Sequence, residues 1–190
     1  MTKGRLEAFT DGVVAILITI MVLEFRAPHG ASWEVVRPLL PAFLTYVLSF
    51  TFLGIYWNNH HHMFHAADRI NWKIMWANLH LLFWLSLTPF VTAWMGENHY
   101  APVPTALYGI VLLCSAIAYT ILQTLLIAEH GPHSRLARAM GSDAKGKLSM
   151  ALYVAGIGFA FINQWISDLL YVVVVLMWIV PDRRIERTPN

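Results

Sequence analysis

The stretch "RLEAFTDGVVAILITIMVLEF", Arg5 to Phe25, decides how the rest of the chain is read. From Gly12 to Leu23 it is apolar except for Thr19, and with its flanks it is long enough to cross a bilayer, which takes ~20 residues. It nevertheless opens with Arg5, Glu7, Thr10 and Asp11. Hydrocarbon penalises such groups, so their presence at the edge of a span calls for a physical reason.

Composition sets the frame for that reason. The 190 residues are 57% hydrophobic and 13% charged, with a mean hydropathy of +0.54. A soluble domain carries about 25% charged residues. The shortfall points to a polytopic membrane protein. The net charge of +2 leaves no basic stripe once loop charges are assigned to membrane flanks, so no nucleic-acid partner is expected. Cys114 is the single cysteine and excludes an intrachain disulfide. No small-residue cleavage site follows the first apolar run, so this run reads as a retained span rather than a signal peptide.

Hydropathy and helix length predict an all-α membrane protein, one domain over 1–190, with six spans near 7–25, 35–57, 72–95, 103–128, 147–164 and 166–181. The sixth is short. Pro, Gly and polar residues collect in the connections "RAPHGAS", "GENHYAP" and "EHGPHSRLARAMGSDAKGK". With an internal N-terminus, the inner flanks hold Lys3, Arg5, Arg69, Lys73, Arg135, Arg138, Lys145, Lys147, Arg183, Arg184 and Arg187. That is 11 of the 13 basic residues, leaving Arg26 and Arg37 outside. The asymmetry predicts that both termini are cytoplasmic, in the inner (plasma) membrane of the cell.

On a helical wheel Ile16, Ile20 and Leu23 fall within about 60° of one another, Thr19 borders them, and Asp11 points about 140° away from Ile16. Such a stripe ordinarily packs on a neighbouring helix or faces lipid. Thr19 is cheap there, because its hydroxyl can bond its own helix. Asp11 is not, since a carboxylate inside a span costs at least ~2.5 kcal/mol and therefore faces the bundle interior with a partner. Candidate partners are close in the sequence of the second and third spans. In "NNHHHMFHAADR", His61 and His65 are four apart and His62 and His65 three apart, so each pair shares a face. Asn78 and His80 follow in the third span. A metal site lacks the residues to complete a tetrahedral set, so no metal and no cofactor is expected. A proton sensor is open to histidine. The remaining reading is a structural network of Arg5 and Asp11 with one or two of His61, His62, Asn78 and His80.

Other features have ordinary roles. Trp57, Trp72, Trp76, Trp84, Trp94, Trp165 and Trp178 sit mostly at predicted span ends, as an interfacial belt does. Pro89 is expected to kink the third span. Glu24 either concentrates cations at a pore mouth or is a solvated cap. Three functions compete: a passive cation channel, a proton- or cation-coupled transporter using Asp11 and the histidines, and a membrane enzyme. Neither H-E-x-x-H nor G-x-S-x-G is present, which disfavours the enzyme. No internal repeat supports the transporter.

The opening stretch resembles the first-helix signature R-x-x-x-F-S-D of the transmembrane protein 175 family, in its prokaryotic single-repeat branch. Arg5, Phe9 and Asp11 match, and Thr10 replaces serine with retention of the hydroxyl. "WNNHHHMF", Trp57 to Phe64, and "NLHLLFWLSLTPF", Asn78 to Phe90, extend the likeness; later spans agree only in hydropathy and loop length. The resemblance implies a homotetrameric, potassium-permeable channel in membrane lipid, passing monovalent cations without a carbonyl filter. It implies that the first helix lines the pore and that Ile16, Thr19 and Leu23, with Ile20 adjacent, form its constriction. It also favours the structural reading of the polar network.

Overall fold

The computed structural model describes residues 2–25, 27–140 and 143–179. Arg26, Arg183, Arg184 and Arg187, which enter the charge asymmetry, lie outside these residues, as do positions 180 and 181 of the sixth expected span. Among the described residues the chain is all-helical: α1 Lys3–Leu23, α2 Leu40–His65, α3 Trp72–Ser86, α4 Thr88–Glu97, α5 Pro102–His130, α6 Arg135–Met140, α7 Ala144–Phe159 and α8 Gln164–Ile179. Short 3-10 turns, Trp33–Val35 and Arg37–Leu39, precede α2. Among the described residues four stretches are long and apolar enough to cross a membrane: Lys3–Leu23, Trp33–His65, Trp72–Glu97 and Pro102–His130. α7 and α8 have 16 residues each, roughly 24 Å against a hydrocarbon core of about 30 Å.

Several boundaries differ from the sequence expectation, each for a local reason. The second helix starts at Leu40 rather than near residue 35, because Pro38 and Pro41 confine the preceding residues to tight 3-10 turns. It runs eight residues past Trp57 to His65, and its end is stabilised from another helix. Lys3 Nζ donates to the carbonyls of Phe64 (2.9 Å) and Ala67 (2.8 Å), placing a cation on the negative end of α2. The third expected span is two helices that meet at Leu87. Pro89 sits in the first turn of α4, where its missing N–H costs nothing. α5 also opens on prolines, Pro102 and Pro104, and stops at Gly131, whose φ of 89° suits a residue without Cβ. α6 forms inside what the sequence presents as a connection.

α5 is the hub of the subunit. It packs on α3, α7, α4 and α8 and buries Tyr108, Val111, Leu112, Ala118, Leu122 and Leu126. Tyr171 of α8 reaches between α5 and α7 at Gly109 and Gly156, where any Cβ would collide with its ring or hydroxyl. At the end of α5, His130 Nε2 accepts from the backbone N–H of Asp68 (2.9 Å) and Arg69 (3.1 Å). Two donors on Nε2 leave the proton on Nδ1, which faces Leu126 O at 2.8 Å. The α2–α3 connection is thus held from α1 by Lys3 and from α5 by His130.

Candidate functional site

α1 has two unlike faces. Leu6, Thr10, Val14, Leu17 and Met21, at helical spacing, are buried against α2, α3 and α4. On the other side Ile16 is 56% exposed, Ile20 40% and Leu23 76%, with Phe9 and Gly12 on the same side. Thr19 is exposed among them. Its hydroxyl donates back to its own helix, 2.9 Å from Ala15 O and 3.0 Å from Ile16 O. That bond uses the proton and leaves oxygen lone pairs directed outward. Val14, on the opposite face, is 2% exposed and belongs to the subunit core.

The buried face is anchored by polar atoms. Asn78 Nδ2 donates to Thr10 Oγ1 at 2.9 Å, and Asn78 Oδ1 lies 2.8 Å from His60 Nε2. An amide oxygen only accepts, so the bond assigns the proton to Nε2 of His60. All three side chains are buried, and His60 stacks on Phe64 with centroids 4.3 Å apart. This chain ties α1, α2 and α3 at one level. A hydrogen-bonded amide, hydroxyl and imidazole at that depth fix the rotation of α1 about its axis, because turning it would orphan all three.

The other residues singled out by sequence lie around this chain. Asp11 Oδ1 accepts from Trp57 Nε1 at 3.0 Å within the same subunit. His61 is exposed and stacks between Trp57 and His65, with centroids 6.4 and 6.2 Å away. His62 is half-buried beside His61. His80 is exposed and accepts from Trp84 Nε1 of its own helix at 2.9 Å. Arg5 is exposed and forms no ion pair or hydrogen bond through its side chain among the described residues. Gly4, Glu7, Ala8, Asp11, His60 and His61 line a cleft next to α1, so two carboxylates stand beside its exposed face. Among the described residues no three His, Cys, Asp or Glu side chains are placed to hold a metal ion.

His60 is the member that sequence reading passed over. Its signal was the burial period of α2, in which Leu53, His60 and Phe64 recur on one face. Spacing between histidines drew attention to His61, His62 and His65 instead, but those face outward or stay at the edge.

An all-helical membrane protein whose first helix is hydrogen-bonded on its buried face and apolar on its exposed one is the class these features define. Residues 5–89 match the family model described as endosomal/lysosomal potassium channel TMEM175. The chain is 53% identical to a potassium channel of Chryseobacterium sp. strain P1-3, over 99% of this chain and 98% of that one. It is 35% identical to a potassium channel of Streptomyces collinus, over 85% and 84% of the two chains. The fold matches the crystal structure of a lysosomal potassium-selective channel TMEM175 homolog from Chamaesiphon minutus, with a TM-score of 0.80 and 27% identity. That match covers 96% of this chain and 97% of the other. The chain belongs to the TMEM175 family of potassium channels, a family of ion channels rather than enzymes.

Proposed function

We propose that the chain is one subunit of a potassium-permeable cation channel, in which four copies set the exposed face of α1 around a common axis. The observation that carries this reading is the contrast across α1, buried and hydrogen-bonded on one face and bare and apolar on the other. In a tetramer the side chains of Ile16, Ile20 and Leu23 form a narrow, poorly wetted neck that replaces a carbonyl filter. Thr19 contributes a ring of hydroxyl oxygens to an ion that has lost part of its hydration shell. Glu7 holds negative charge at the inner mouth and raises the local cation concentration, and Glu24 does so outside. Potassium is the permeant ion, and no bound cofactor takes part.

The same reading gives the chain as one unit over 1–190 with six passages: α1, α2, the α3–α4 pair, α5, α7 and α8. Both termini are cytoplasmic and the membrane is the inner one. α7 and α8 are short, so neighbouring helices and interfacial tryptophans such as Trp165 and Trp178 complete their passage. Arg5, Phe9, Thr10, Asp11, His61, His62, Asn78 and His80 serve architecture rather than permeation. Single-channel recording in planar bilayers tests the whole reading. A channel gives unitary steps that reverse near the potassium equilibrium potential under a potassium gradient. A carrier gives flux without steps, and that result would remove the channel reading.

A further inference from the structure

His130 closes α5 with its ring, and both ring nitrogens are committed. Nε2 accepts from the backbone N–H of Asp68 at 2.9 Å and of Arg69 at 3.1 Å, 62 and 61 residues earlier in the chain. Nδ1 lies 2.8 Å from Leu126 O and holds the proton. The helix end that carries the ring is itself fixed, because the N–H of Gly131 bonds Ile127 O at 2.8 Å. The segment in its grip is short, since α2 ends at His65 and α3 begins at Trp72. Two other ties hold the same segment. Lys3 Nζ donates to Phe64 O and Ala67 O from the first turn of α1, and Asn71 Nδ2 donates to Glu129 of α5.

A lone pair that accepts a hydrogen bond cannot also hold a proton. Protonating Nε2 turns the acceptor into an N–H that faces two other N–H groups, so both bonds must open. Imidazole is the side chain whose charge changes close to neutrality. The other two ties use an ammonium and an amide as donors, and an added proton disturbs neither donor.

We propose that His130 is a proton-operated latch on the side of the membrane that holds the start of α1. With a neutral ring it clasps the α2–α3 connection to α5. Acidification on that side opens it and leaves the connection on the Lys3 and Asn71 ties. Lys3 carries the change to the first turn of α1, so the pose of that helix is coupled to pH. The latch does not depend on where ions permeate.

The charged and titratable side chains on the elements around the ring are Lys3 on α1, His65 at the end of α2, Asp68 and Arg69 themselves, Lys73 on α3, and Glu129. Past the end of α5 follow His133, Arg138 on α6, and Asp143, Lys145 and Lys147 at the start of α7. His65 and His133 are the imidazoles in this set, so they are the controls.

Hydrogen–deuterium exchange of the full chain tests the latch between about pH 8 and pH 5, read at the amides of residues 68 and 69 and corrected for the intrinsic pH dependence of exchange. In the wild type both amides should lose about tenfold in protection together as the pH falls, the worth of one hydrogen bond. His130→Gln puts an amide oxygen, which accepts but does not titrate, near the position of Nε2, and its protection should stay level across the range. His65→Gln and His133→Gln should keep the wild-type loss. Wild-type protection that does not change with pH overturns the latch. So does a loss that persists in His130→Gln, or one that disappears in His65→Gln or His133→Gln. Should His130→Gln lack protection even at the upper pH, the nitrogen chemical shifts of the wild-type His130 ring decide. Nε2 should gain its proton over the same pH interval in which the two amides lose protection, and a ring titration outside that interval overturns the proposal.

Discussion

The two halves of the subunit are joined by different physics. Up to residue 90 the helices are tied by polar side chains: Lys3 on the end of α2, Asn78 between Thr10 and His60, Asp11 with Trp57. Beyond residue 100 Trp178 Nε1 donates to Ser149 Oγ across α7 and α8 at 2.9 Å, but the tightest joint is steric, with Tyr171 reaching toward α5 and α7 where Gly109 and Gly156 leave room. Hydrogen bonds are directional and packing is not, so the first half specifies an angle and the second fills a volume. That distinction suits the proposed division of labour. A slip of one residue in α1 turns its face by about 100° and takes Ile16 and Leu23 off any shared axis. A small shift of α7 or α8 leaves the α1 face where it is.

The largest expected effect is at the polar joint. Asn78→Leu leaves Thr10 Oγ1 and His60 Nε2 buried without partners, and the loss should be roughly 2–5 kcal/mol. Thermal unfolding monitored by tryptophan emission measures it. A change no greater than that of a surface substitution, within about 0.5 kcal/mol, would show that α1 is not oriented by this bond. At the steric joint, Gly156→Ala forces a methyl group against the Tyr171 ring and should cost roughly 1–3 kcal/mol. Adding Tyr171→Leu to Gly156→Ala should recover part of that loss. If the double variant is worse than the sum of the singles, the α7–α8 contact is not steric in origin.

A smaller effect is expected where the two halves meet. His130→Ala removes the acceptor for the amides of Asp68 and Arg69, a loss of about 1 kcal/mol in a partly solvated setting. Hydrogen–deuterium exchange at residues 68 and 69 should accelerate, and unchanged protection would mean that other contacts hold this connection. Smallest in stability is Thr19→Val, within about 0.5 kcal/mol because the hydroxyl bonds only its own helix. Its effect should appear in function instead, as a lower potassium conductance.

How far the sequence discloses all this follows the same divide. The long apolar stretches and the unpartnered stripe on α1 are legible from periodicity, because period and exposure are properties of one helix. Thr10 and Asn78 are legible as polar residues in costly positions. Their bond to each other and to His60 is not, because it joins three helices and needs the rotation of each. The histidine run concealed His60 by offering better-spaced neighbours. Pro89 marked the place where the third span divides, whereas α6 and the extension of α2 to His65 depend on capping and tertiary contacts that hydropathy does not register.

The central claim is that the bare face of α1 lines the ion path, and the bi-ionic reversal potential of Ile16→Ala and Leu23→Ala tests it most directly. Shortening either side chain widens the neck and lowers its dewetting barrier. Conductance should rise and the reversal potential should move toward equal permeability for potassium and sodium, with the assembly intact by native mass spectrometry. Val14→Ala, in the subunit core, serves as the comparison and should leave both quantities close to the wild type in the folded fraction. Wild-type reversal potentials and conductances in both Ile16→Ala and Leu23→Ala would contradict the claim and place the pore on another helix.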